Sequence, residues 1–211
     1  GIDRKSFVLA IGGGAVLDAV GLGATLAHRG VRLIRMPTTT LAMDDAAMGV
    51  KNGINKFGKK NFCGTFSVPW AVIADEEFLI TLTDQQFLSG FSEAIKIGCL
   101  KDPTLFELIE QSAARIVARD LAAAMPIIRR SAELHLDHIT QGGDAFELNE
   151  ARPLDFGHWA AHKLESMSTY EIAHGDAVAI GIALDCEYAV RMKILSQKDS
   201  TRIIACLQAL R

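Results

Sequence analysis

The sequence predicts an α/β nucleotide-binding domain, built on a partial parallel sheet, followed by an all-helical domain. Three observations carry this. A short apolar run enters a glycine turn and a helix, a second apolar run ends at Pro37, and helical periodicity dominates from about residue 84 onward.

Residues 7–11 form a nearly continuous apolar run, the pattern of a parallel strand covered on both faces. Residues 15–28 carry apolar side chains on most faces and read as a packed helix. Residues 31–36 are the next strand, ended by Pro37 and three threonines, so the three elements imply a parallel βαβ unit with a right-handed crossover. Residues 49–66, rich in glycine, lysine and asparagine, read as a hairpin or long ordered loop that presents polar groups. Residues 70–74 are another short strand. Residues 75–83 look like the boundary between a domain at 1–80 and a second at 81–211.

In the second domain Leu121, Met125, Ile128, Ala132, His135 and Ile139 recur at alternating steps of four and three and mark one helix face, which Gly142 and Gly143 terminate. Residues 153–165 and 176–195 are further helices. The latter is apolar nearly all round and is expected at the centre of the bundle. The chain opens directly on a strand without a methionine, and residues 196–211 stop within an apparent helix. Missing sequence is therefore expected at both ends.

Composition narrows the function. With 49% hydrophobic residues, 211 residues can bury a substantial core. A formal net charge of −3 without a basic tract argues against nucleic acid as a partner. The four cysteines form no short-spaced pairs and read as free thiols in a reducing cytoplasm. No signal peptide is visible, and no apolar run reaches the roughly 20 residues that span a bilayer.

Three segments carry chemistry. Gly12-Gly13-Gly14-Ala15-Val16-Leu17-Asp18 joins a strand to a helix, where glycines let backbone approach a phosphate at the helix N-terminus. Leu17 stands where the dinucleotide fingerprint has its third glycine, and a tight βα turn without a ligand is the alternative reading. Thr38 and Thr39 end the next strand, to meet a cofactor or to cap a helix. Asp45, Lys51, Lys60 and Asn61 punctuate the polar segment, which is either a solvated loop or a cradle for an anionic substrate.

The third segment set is Glu93, Lys96, His158, His162 and His174. Glu93 and Lys96 are one turn apart on a helix, as are His158 and His162. Either pair alone is usually structural. Together, downstream of a nucleotide-type turn, they point to Glu93, His158 and His174 as ligands of a catalytic divalent metal with coordination left open. His162 suits a proton relay or a substrate hydrogen bond. His28, His135 and His138 remain, and His135 faces either core or active site.

These strings, in this order, resemble the 3-dehydroquinate synthase family of sugar phosphate cyclases. The likeness runs from Gly12-Gly13-Gly14 through Pro37-Thr38-Thr39, Asp45, Gly49-Val50-Lys51, Lys60-Asn61, Gly64, Glu93-Ala94-Ile95-Lys96 and Phe156-Gly157-His158 to His174-Gly175-Asp176. The resemblance implies NAD and a divalent metal, zinc or cobalt, with the active site between the two domains. Gly14, Ala15, Val16, Leu17, Asp18, Thr38, Thr39, Phe78 and Thr81 would line NAD. Lys51 and Lys60 would sit near both nicotinamide and substrate. Asp45, Asn61, Lys96, Arg152 and His162 would contact a sugar phosphate. Arg29 would reach phosphate in a neighbouring subunit, so a homodimer is implied.

Three positions depart from the family pattern. Asp155 replaces an asparagine, His135 falls near a lysine that helps bind the substrate carboxylate, and Arg152, after an insertion at 141–150 that disrupts the Asp-Glu-Arg string, precedes His158 by six residues where the family arginine precedes it by seven. The first two disfavour a carboxylated substrate and place the chain near the secondary-metabolite branch of the family, whose valiolone-type members use an uncarboxylated heptulose phosphate. Two rivals stand beside this reading: a metal-dependent polyol dehydrogenase of related architecture, and a degenerate family member acting as a binding subunit.

Overall fold

The computed structural model describes residues 1–142, 146 and 152–210, with the side chains of Arg152 and Pro153 outside the description. Strand β1 (Phe7–Gly12) pairs in parallel with β2 (Arg32–Pro37), Phe7 opposite Arg32 and Gly12 opposite Pro37. Helix α1 (Gly14–Leu26) makes the crossover and buries Leu17, Leu22 and Ala24. It ends two residues before the predicted limit, because His28 and Arg29 take φ values of 51° and 65° in a tight 3₁₀ turn. The polar segment is an antiparallel hairpin of β3 (Lys51–Lys56) and β4 (Lys59–Phe66). A short β5 (Ala71–Val72) completes a parallel sheet of order β1-β2-β5.

Among the described residues, strand β1 is covered on one face. Val8 and Ala10 pack toward Leu17 and Leu33 under α1, whereas Phe7, Leu9 and Ile11 are 48%, 52% and 48% exposed. The period of two in a strand puts these three on one side. There the Arg32 guanidinium stacks on Phe7 and Trp70, and among the described residues no helix covers Leu9 or Ile11.

The remainder is helical: α2 (Asp84–Ser89), α3 (Phe91–Lys101), α4 (Pro103–Val117), α5 (Leu121–Gln141), α6 (His158–Met167), α7 (His174–Arg191) and α8 (Gln197–Ala209). Helix starts follow local chemistry. Thr83 and Gln86 form a reciprocal capping box at α2, and Asp102 caps α4 ahead of Pro103. Helix α5 buries Ile128, His135 and Ile139, as its periodicity predicts. The helix buried all round is α3, from Phe91 to Gly98, rather than α7, whose Leu184 and Tyr188 are exposed. Apolar composition alone does not distinguish a central helix from one whose apolar residues reach the surface.

Helix α6 begins at His158 rather than at residue 153. Residues Arg152–Asp155 form a 3₁₀ turn, and Gly157 at φ 78° breaks continuity between the two. No helix among the described residues is long and apolar enough to cross a membrane.

Candidate active site

Glu93 and Lys96 lie on α3 at the junction between the α/β part and the helices, 1% and 2% exposed. His158 and His174 are the first residues of α6 and α7. The start of α6 is held rigidly. A Cβ on Gly181 of α7 would lie 1.8 Å from the Gly157 carbonyl oxygen, so only glycine permits this approach. Asp185, also on α7, accepts the Gly157 N–H at 2.7 Å and the Trp159 indole N–H at 2.5 Å. The first turn of α6, and with it His158, is therefore positioned by α7.

Three ligand-type atoms converge. Glu93 Oε1 lies 3.1 Å from His158 Nε2 and 3.6 Å from His174 Nε2. Bonds of about 2.1 Å to a tetrahedral metal separate ligand atoms by about 3.4 Å. Both Glu93 oxygens are buried, yet neither has a well-aligned hydrogen-bond partner, in spite of these short separations. The opposite ring nitrogens are engaged elsewhere. His158 Nδ1 is 3.1 Å from the Phe156 carbonyl oxygen, and His174 Nδ1 is 3.0 Å from Glu165 Oε2. Those acceptors hold a proton on each Nδ1 and turn each Nε2 toward Glu93, where a bound cation would take the place of any Nε2 proton. This donor set fits a divalent cation.

The electrostatics agree. Burial opposes ionisation of Glu93, but Lys96, whose Nζ is 2.5 Å from Oε2, and the two imidazoles hold its carboxyl well below the usual range. Burial also disfavours a charged His174, yet Glu165, bonded at its Nδ1, and the Glu93 carboxylate beside its Nε2 raise it to about 9. Glu165 is buried, which works against its charge, and His174 and Lys60 nevertheless bring it down to about 2. His162, although exposed as a residue, is lowered to about 4 by desolvation first and then by the charges of Lys60, His158 and His174. Its ring lies 5.5 Å from that of His158 and 6.0 Å from that of His174.

Lys60 reaches the same cluster from β4, donating to Glu165 Oε2 at 2.6 Å. Asp45 lies in a π-helical turn, Ala42–Ala46, with its Oδ1 3.1 Å from Nδ1 of the buried His135. His135 thus faces the site's acidic wall, not only the core. The turn and the root of the hairpin are gathered around Arg35, which is fully buried. Its guanidinium donates to the carbonyls of Ala46, Ala47, Gly49 and Lys51 and to Asn52 Oδ1.

The cofactor-type residues divide. A Cβ on Gly13 would sit 3.2 Å from Thr39, and one on Gly14 3.2 Å from Ala46, so packing alone already accounts for small residues there. Asp18, in the first turns of α1 behind Ala15, Val16 and Leu17, is raised to about 6 by burial, tempered by Arg35. Thr38 follows β2 beside the turn, and Thr39 caps its own helical turn by accepting the Ala42 N–H. Phe78 and Thr81 share a 3₁₀ turn, where the Thr81 hydroxyl donates to the Phe78 carbonyl. Lys51 and Asn61 are exposed on the hairpin, and Arg29 is exposed after α1. The Arg152 side chain and the insertion at 143–145 and 147–150 lie outside the described residues, and Asp155 is exposed.

Residues 1–89 match the model of the 3-dehydroquinate synthase N-terminal domain, and residues 90–211 match the C-terminal domain. The chain belongs to the 3-dehydroquinate synthase family. The 3-dehydroquinate synthase of Roseobacter denitrificans is 38% identical over 211 residues, which cover 99% of this chain and 56% of that protein. The structure of a 2-epi-5-epi-valiolone synthase from Streptomyces hygroscopicus subsp. jinggangensis, with NAD+ and Zn2+ bound, superposes with a TM-score of 0.92 at 33% identity, covering 97% of this chain and 57% of that one. A 2-deoxy-scyllo-inosose synthase superposes with a TM-score of 0.86 at 25% identity, covering 100% and 58%. An iron-containing alcohol dehydrogenase, at 15% identity and a TM-score of 0.63, shares the fold. The chain thus spans somewhat more than half the length of the relatives it matches.

Three residues that family motifs did not flag join the site. Glu165 follows His162 by one helical turn, a spacing visible in the sequence, but a glutamate there reads as a solvated charge. Arg35 reads as a polar strand position, and Asp185 as the outer face of a helix. Only the tertiary fold reveals what each contacts.

Proposed function

We propose that this chain carries the chemistry of an NAD- and divalent-metal-dependent sugar phosphate cyclase, which eliminates phosphate from a seven-carbon sugar phosphate and closes a carbocycle. The observation that carries the reading is the convergence of Glu93 Oε1 with two imidazole Nε2 atoms beside a lysine-bearing hairpin.

In this reading Glu93, His158 and His174 hold the cation, and Gly14, Ala15, Val16, Leu17, Asp18, Thr38, Thr39, Phe78 and Thr81 line NAD. The bound cation contributes Lewis-acid polarisation of adjacent substrate hydroxyls, and NAD contributes a reversible hydride acceptor. Lys96 balances the buried charge of Glu93. His162, uncharged at neutral pH, exchanges hydrogen bonds with a substrate hydroxyl. Lys51, Lys60 and Asn61 donate to the departing phosphate, Arg152 contacts substrate, and Arg29 completes the anion site across a homodimer. The protein's contribution is mainly positioning and charge stabilisation.

The substrate end that meets Asp45 and His135 carries hydroxyls rather than a carboxylate. The His135 imidazole, 3.1 Å from Asp45, stands there without an ammonium to meet an anion. Leaving a carboxylate without that counter-charge in a desolvated site costs a few kcal/mol. A heptulose phosphate is favoured over a heptulosonate phosphate on this ground.

The test is a screen of heptose, heptulose and heptulosonate phosphates, with the protein expressed at the full length its gene encodes. The expected result is release of inorganic phosphate without net NADH. His158→Ala should lose both bound metal and turnover, and full activity of that variant without metal refutes the assignment. Net NADH without phosphate release would mark a polyol dehydrogenase, and binding of NAD and metal without any turnover would mark a binding subunit.

A further inference from the structure

Glu165 is 6% exposed, belongs to none of the proposed ligand or substrate positions, and has one oxygen with two partners. Its Oε2 lies 2.6 Å from Lys60 Nζ and 3.0 Å from His174 Nδ1, and those two nitrogens are 3.1 Å apart. The triangle joins three elements: the hairpin strand β4, helix α6 and the first residue of α7.

An ammonium has donors only, and an ionised carboxylate has acceptors only. Lys60 can therefore bond His174 Nδ1 only if that nitrogen carries no proton. In that state the proton of a neutral ring sits on Nε2 and points at Glu93. If instead Nδ1 carries the proton and donates to Glu165, Nε2 presents its lone pair to Glu93 and to any cation there. For a neutral ring, the form that binds a cation, the two arrangements exclude each other, and Glu165 is placed to select between them.

We propose that Glu165 is a positioning residue that holds His174 in its metal-binding tautomer and keeps Lys60 off the ring by occupying that ammonium itself. The inference rests on the metal reading of Glu93, His158 and His174. It assigns a second consequence to the same contact, because the lysine offered to the phosphate is anchored to the carboxylate that orients a metal ligand.

The test reads Co2+ binding rather than turnover. Affinity is measured by competition with a chelating dye, the ligand field is read from visible absorption, and folding is checked by circular dichroism. Loss of such an outer carboxylate typically weakens metal binding by about 10- to 100-fold. Glu165→Ala is expected to fall in that range with the absorption band shape retained, and Glu165→Gln to fall between it and the parent protein. The decisive variant is Glu165→Ala combined with Lys60→Ala. With the competing ammonium gone, it should bind Co2+ more tightly than Glu165→Ala alone, which a merely structural role for Glu165 does not produce.

Affinity within twofold of the parent in both single variants overturns the proposal. So does a double variant no better than Glu165→Ala, or a changed band shape, which would make Glu165 a direct ligand. If Glu165→Ala does not fold, Glu165→Gln and Glu165→Gln with Lys60→Ala give the same comparison. A parent protein that binds no Co2+ removes the metal reading as well. A parent whose binding is abolished by His158→Ala, with unchanged Glu165 variants, removes this inference alone.

Discussion

Removal of the Lys96 ammonium probes how the site's charge is balanced. Its Nζ is 2.5 Å from Glu93 Oε2, and the two side chains are 3% and 1% exposed. Lys96→Met keeps the volume and leaves an anion buried without its main partner. Breaking a buried pair from one side costs about 3–5 kcal/mol, whereas replacing both partners with neutral groups is often close to neutral. Urea unfolding in the presence of a chelator should therefore show Lys96→Met less stable by about 3–5 kcal/mol. Lys96→Met combined with Glu93→Gln should recover roughly 2 kcal/mol of that loss. Saturating Zn2+ should narrow the gap between Lys96→Met and the parent, since a cation at Oε1 takes over the missing counter-charge. A single-variant loss below about 1 kcal/mol, or effects additive within about 0.5 kcal/mol, would refute the charge balance argued here.

Other expectations follow from the same geometry. Since His174 is raised to about 9, a proton competes with the cation. Apparent Zn2+ affinity should climb from pH 6.5 to about 9 and then level off, and a flat profile in a chelator competition would contradict this. In the metal-free protein the same group stabilises the fold fully below its ordinary value near 6.5 and loses that contribution as pH rises through about 9, so chelator-treated protein should unfold more easily at pH 9.5 than at pH 6.5. Gly181→Ala forces a methyl toward the Gly157 carbonyl, where a Cβ would lie 1.8 Å away. It should lower the melting temperature and the metal affinity together, and retention of both would show that α6 is not set by this contact. Arg35→Met leaves several buried carbonyls without a donor, at about 1–3 kcal/mol for each group left unsatisfied. Amide exchange in the β3–β4 hairpin should accelerate more than in α4.

Much of this architecture is legible in the chain. The βαβ unit follows from apolar runs around glycines, the hairpin from its turn residues, and α5 from its periodicity. Residue type and motif order single out Glu93, His158 and His174, although nothing local links α3 to the starts of α6 and α7. Three matters were not legible. The start of α6 depends on a left-handed Gly157 locked by Gly181 and Asp185, a contact between helices rather than a local signal. The open face of β1 is hidden because a one-sided and a two-sided strand share the same apolar run. Glu165 and Arg35 have the composition of surface positions, and only the approach of the hairpin and of the π-helical turn buries them.

The guanidinium beneath the hairpin has a consequence for how the protein responds to acidity. Burial lowers the affinity of Arg35 for its proton, yet arginine stays cationic across the physiological range. In the cluster nearby His162 changes protonation at about 4 and His174 at about 9, while the guanidinium that gathers the scaffold presenting Asp45 and Lys51 keeps its charge through both. Chemistry and framework are therefore governed by groups that titrate in different regimes. Protonation of His162 at about 4 therefore leaves the charge beneath the hairpin unchanged.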